Sequence, residues 1–165
     1  MENIKIIRNL IKNGLGLDDN HCYIYNNKWL MPEDKGLFVV IGIVNNEVIG
    51  NNLRYRSNET EFKAITSTTF CTDYSIDIFS ADTSARTKQY ELINLLGSFE
   101  ALQSQERNGY SIARLPSSFT DLSTLEGDKI LNRYRATIRV FHKIETEKEA
   151  TYFDKLSGFR TVIND

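Results

Sequence analysis

At 165 residues the chain has the length of one domain. Its 41% hydrophobic and 11% aromatic residues, with only 9 Gly and 2 Pro, exclude a disordered or collagen-like chain. Lys and Arg number 20 against 22 Asp and Glu, a formal charge of -2 that excludes a chain-wide positive field of the kind that coats DNA.

In chain order, Ile4, Ile7, Leu10 and Ile11 recur at helical spacing and predict a helix over 3–13, with Asn13-Gly14 as a left-handed stop. Lys5, Arg8 and Lys12 break the same segment, so no signal-peptide core is expected. Residues 15–36 carry turn formers around a short apolar run, Cys22 to Tyr25, and read as a loop with one short strand. From Leu37 to about Ser80 the residues are β-branched and aromatic and predict sheet. Two pairings compete there, a three-strand meander turning at Asn45-Asn46 and near Asn58, or one long hairpin with its tip at Ser57 to Thr60. The hairpin is favoured. Pairing without slippage sets Val39 against Ile78, Ile41 against Ile76, Ile43 against Tyr74, Leu53 against Ala64 and Tyr55 against Phe62, apolar facing apolar throughout. At about 3.3 Å per residue such arms reach on the order of 60 Å, longer than a domain of this size, so residues 45–68 are expected to project as an arm.

Asp82-Thr83-Ser84 offers N-caps for one long helix over about 84–106, ending at Asn108-Gly109. Loops flank a short segment, Phe119 to Leu122. Tyr134, Ala136, Ile138 and Val140 then alternate with Arg133, Arg135, Thr137 and Arg139, the pattern of a half-buried strand. Glu145 to Glu149 reads as a solvated turn opening a C-terminal tail, 145–165. The longest apolar run, Leu37 to Val44, is far short of the roughly 20 residues of a membrane span, and no membrane association is expected. The expected fold is α+β: a single domain, 1–165, with an antiparallel β-sheet and a long β-hairpin packed by one long helix and a short N-terminal helix.

The residues offer little chemistry. Two cysteines, Cys22 and Cys71, are too few for a disulfide framework, and a reduced protein made in a cytoplasm is expected. A Cys71 nucleophile with His142 as base lacks any local activating group, and His21, Cys22, Cys71 and His142 lack the paired spacing of a zinc site. No Gly-rich phosphate loop occurs, so nucleotide binding is unsupported; no active site is evident and no cofactor is expected. Asp73 and Asp77 share one strand face, and Arg133, Arg135 and Arg139 supply a matching cationic face. A cross-strand or intersubunit charge ladder accounts for both better than a carboxylate pair for metal or acid–base work. The arginines also leave open a small cytoplasmic nucleic-acid-binding or regulatory module.

Three stretches carry a family resemblance: Pro32 and Gly36 leading into Leu37-Phe38-Val39-Val40-Ile41; Thr72 to Phe79 leading through Ala81-Asp82 to Ala85-Arg86; and Phe119 to Ser123 followed by Asn132 to Ile138. Over about residues 30–144 the chain resembles the phage tail terminator or neck terminator proteins of head–tail joining. The resemblance implies a structural virion protein without catalysis, assembled in the host cytoplasm. It implies a homohexameric ring that caps the tail tube protein, ends its polymerisation and docks to the head completion or connector protein, with DNA passing through the lumen without specific binding. Subunit-interface roles fall to Arg54, Arg56, Asn58 and Glu61 at the hairpin tip and to Asp73, Asp77, Arg133, Arg135 and Arg139.

Overall fold

A computed structural model describes residues 2–25, 36–57, 62–126 and 129–149. Three helices, α1 (Glu2–Gly14), α2 (Ser84–Leu96) and α3 (Phe99–Asn108), accompany strands β1 (Cys22–Ile24), β2 (Phe38–Ser57), β3 (Phe62–Ser80), β4 (Tyr110–Arg114), β5 (Thr120–Asp121), β6 (Thr124–Glu126) and β7 (Lys129–Glu149). The fold is α+β. The sheet runs β1-β2-β3-β7-β4, and β5 and β6 pair with the first part of β7.

The expected all-antiparallel sheet is corrected to a mixed one, because β1 lies parallel to β2, Cys22 to Ile24 facing Val39 to Ile41. The stretch between Ile24 and Phe38 has the dozen or so residues that a parallel crossover requires. The single long helix is also corrected. It breaks at Gly97-Ser98, where Gly97 forms the C-cap of α2 and the Ser98 hydroxyl accepts the Ala101 N–H to start α3. A serine that satisfies an orphan N–H begins a new helix more readily than a glycine continues the old one. At the end of α1 the left-handed residue is Gly16, φ 67, and not Gly14: Leu17 N–H donates to the Lys12 carbonyl at 2.8 Å in a Schellman-type closure. Gly14 serves proximity instead, since a Cβ there would lie 2.3 Å from Leu95 Cδ1 of α2.

β3 is the spine. It pairs antiparallel with β2 from Phe38↔Phe79 to Ser57↔Phe62, and with β7 from Ser80↔Asn132 to Lys63↔Glu149. The pairs Val39↔Ile78, Ile41↔Ile76 and Ile43↔Tyr74 follow unslipped pairing. Beyond them two β-bulges intervene, leaving Val44 and Ile49 as extra residues on β2, so Leu53 meets Thr66 and Tyr55 meets Ala64. Alternation alone does not reveal such extra residues, because two one-residue shifts together return every side chain to its expected face. Residues 145–149, expected as a turn opening the tail, instead continue β7, with Glu145 opposite Ser67 and Glu149 opposite Lys63. Residues 150–165 of the expected tail lie outside the described residues.

The core forms on one face of the sheet. Ile4, Ile7 and Ile11 of α1 and Ala85, Leu92 and Leu96 of α2 pack on Val39, Ile41, Tyr74, Ile76, Ile78, Ile138 and Val140. A smaller cluster, Phe38, Val40 and Phe79, lies on the other face. The main cluster takes nothing from β2 beyond Ile41, from β3 before Tyr74 or from β7 after Val140. Past that boundary β2, β3 and β7 continue as a three-stranded extension.

Candidate functional site

Neighbouring strands place the two charged stripes side by side. Asp77 lies opposite Arg135 and Asp73 opposite Arg139 in the β3–β7 register, so their side chains leave the sheet on the same face, opposite the helices. Arg135 Nε and Nη2 donate to Asp77 Oδ1 and Oδ2 at 2.8 and 2.9 Å, a two-pronged clamp, and Arg133 Nε reaches Asp77 Oδ1 at 3.4 Å. Arg139 repeats the clamp on Asp73 at 2.8 and 2.9 Å. The side chains differ in exposure: Asp77 is 8% exposed and Asp73 15%. The Arg139 hydrogen bonds hold the Asp73 carboxyl below the usual carboxylate range, and the Asp77 hydrogen bonds raise the Arg135 guanidinium.

A cleft of about 450 Å³ adjoins the Asp77 cluster, with Val40, Phe79 and Leu131 as its apolar lining and Arg133 and Arg135 among its polar groups. Two arginines on one aspartate leave one net positive charge there. Beside it, Arg114 and Arg139 line a more open groove with Asp73 and the 115–118 loop.

Farther along the extension the same face carries a second charged cluster. Arg54 on β2 reaches across β3 to Glu145 on β7 at 3.2 Å, and Glu145 also accepts from Lys143 at 2.6 Å. Beneath this lattice Ile65 and Ser67 are buried. Arg56 is exposed, level with Lys63 and Glu149. Asn58 and Glu61, the other interface expectations, lie outside the described residues. Glu145, Glu147 and Glu149 were not anticipated as part of this face. Their signal was the continued alternation with Ile144, Thr146 and Lys148, hidden by a charge run that reads as a turn.

The opposite face of the extension carries exposed apolar side chains among threonines, asparagines and Lys148. Val48, Leu53, Tyr55 and Ile144 are each more than half exposed, and Tyr55 stacks on Phe62 at 5.5 Å. Farther down this face Phe70 stacks on His142 at 5.2 Å.

The Cys71–His142 pairing is excluded by strand parity. Phe70 lies opposite His142 and Cys71 opposite Phe141, so the thiol and the imidazole leave opposite faces of the sheet. Burial raises the Cys71 thiol above its ordinary value, the wrong direction for a nucleophile. Burial also pushes the Cys22 thiol up, to about 11. Among the described residues no group of three or more His, Cys, Asp and Glu is placed to hold a metal ion, and no helix is long and apolar enough to cross a membrane.

The arrangement provides surfaces: a charged face organised by strand-to-strand ion pairs, and a face past the helices with exposed apolar side chains among polar ones. The chain matches no protein-family model, and no curated protein matches it.

Proposed function

We propose that the protein is a structural virion subunit that assembles into a homohexameric ring, caps the phage tail tube, ends its polymerisation and joins the tail to the head or neck connector. The observation that carries the reading is the extension itself. Much of β2, β3 and β7 lies outside the protein's own core yet presents large exposed apolar side chains on one face. A monomer gains nothing from such a surface, whereas an assembly subunit buries it. The resemblance in the β2, β3–α2 and β7 segments points to the same role, with β2 and β3 forming a projecting hairpin arm. The alternative nucleic-acid-binding module is disfavoured, because Arg133, Arg135 and Arg139 are already clamped by aspartates, which lowers the field they offer a phosphate backbone.

Native mass spectrometry with negative-stain imaging of the purified protein tests the ring. Closed oligomers of one copy number are expected, and sub-stoichiometric addition to polymerising tail tube protein should shorten the tubes. A monomer that leaves tube length unchanged would discard the reading.

A further inference from the structure

Among the described residues the three-stranded extension has two open edges. On β2, partners on the outer edge end with β1 at Ile41; on β7, partners on the outer edge end with β4 at His142, among the described residues. From there to Ser57 on one side and Glu149 on the other, each strand has its inner neighbour β3 and, among the described residues, nothing paired to its outer row of N–H and C=O groups. Open edges of this length are a hazard that folded proteins blunt. The near part of the β2 edge is blunted by the bulges at Val44 and Ile49, but Asn51–Ser57 is regular and contains no proline.

The two open segments are level. Asn52 lies opposite Ser67 and Ser67 opposite Glu145; Arg54 opposite Ile65 and Ile65 opposite Glu147; Arg56 opposite Lys63 and Lys63 opposite Glu149. They also run in the same direction, because both are antiparallel to β3. Their charges on the shared face are opposite, Arg54 and Arg56 on the β2 edge against Glu145, Glu147 and Glu149 on the β7 edge. Arg54, Lys143 and Glu145 already form ion pairs within the chain.

From these features we infer that copies of this chain associate edge to edge, the 51–57 segment of β2 pairing in parallel with the 143–149 segment of β7 of the next copy. In level pairing Arg54 meets the neighbour's Glu147 and Arg56 its Glu149, while on the other face Leu53 meets its Thr146, diagonal to Ile144, and Tyr55 meets its Lys148. Twofold pairings centred on these segments oppose like charges: β7 on β7 centred at Thr146 sets Glu145 against Glu147, though Glu149 against Lys143, and β2 on β2 centred at Tyr55 sets Arg54 against Arg56. The charge match favours a heterologous contact, which makes a ring where the rotation between successive copies closes. This interface rests on the ring reading above and specifies how its subunits join.

The test is cysteine cross-linking in Arg56→Cys/Glu149→Cys. Within one chain the two positions are separated by β3, about 9.6 Å at two strand spacings and beyond the roughly 7 Å limit of a disulfide. The native Cys22 and Cys71 are buried and do not compete. Mild oxidation of the assembled double variant should give a ladder of covalent multimers that ends at the ring's copy number, and neither single variant should give a ladder. Independently, Arg56→Glu should weaken association about five- to tenfold, and Glu149→Arg in the same chain should restore it. A ring that forms without the ladder and ignores both reversals overturns edge pairing while leaving the ring intact. A wild-type monomer at all concentrations overturns both.

Discussion

Asp77 and Asp73 show how one motif acquires two weights. Both accept a two-pronged arginine clamp, but Asp77 is the more buried and holds a second arginine, whereas the partner of Asp73 is half exposed. Replacing Asp77 by Asn removes charge-assisted hydrogen bonds from a poorly solvated position, and a loss of about 1.5–3 kcal/mol in urea unfolding is expected. Asp73→Asn should cost about 1 kcal/mol or less, since water and salt screen the exposed partner. Equal losses would remove burial as the deciding variable. His142 gives a second residue-scale prediction. Its ring is packed on Phe70, its Nδ1 is buried with no hydrogen-bond partner among the described residues, and burial lowers its pKa from the ordinary 6.5. The unfolded chain therefore binds a proton at this site before the folded one does. Stability from this residue is complete above about pH 6.5 and declines as pH falls through the folded value. Melting temperature against pH should show that decline in the wild type, and a His142→Phe variant should flatten it. The clamps were visible in the sequence as matched stripes, because strand periodicity reports which side chains share a face. The buried Nδ1 was not, since burial of a single ring depends on the neighbouring strands.

Among elements, the strands near the core were the most readable. Val39, Ile41 and Ile43 find the partners that apolar matching assigns to them, because a buried face penalises any one-residue slip. Past Ile43 both faces of β2 reach solvent, the penalty vanishes, and the extra residues Val44 and Ile49 enter without a signature in the pattern. The last part of β7 was missed for a related reason: five exposed residues, four of them charged, carry no burial signal, and only pairing with β3 makes them a strand. The break at Gly97-Ser98 was legible in principle, as a C-cap glycine followed by an N-cap serine, but the apolar stripe that spans it suggested continuity. The bulges lead to an element-scale prediction. Val44 and Ile49 are extra to the ladder, so deleting both should leave every downstream pair in place, Tyr55 against Ala64 included. Such a variant should retain its circular dichroism and unfold with a similar midpoint. It should also aggregate faster, because a straightened edge loses the protection of its bulges. A collapse of the fold would mean that the extra residues carry stability as well as shape.

For the whole molecule, the distribution of mass matters as much as the pairing of strands. Helices α1 and α2 pack their apolar side chains into the main core on one face of the sheet, while the face of Asp73, Asp77 and Arg54 carries ion pairs and a small apolar cluster. A body thickened on one face is a wedge, and wedges set side by side bend toward their thin side. Any closed assembly of this chain therefore has a preferred sense of curvature, with the helices on the convex surface and the ion-paired face on the concave one. The concave wall would then be built from alternating charges that largely offset one another, with a single excess positive charge at the Asp77 cluster.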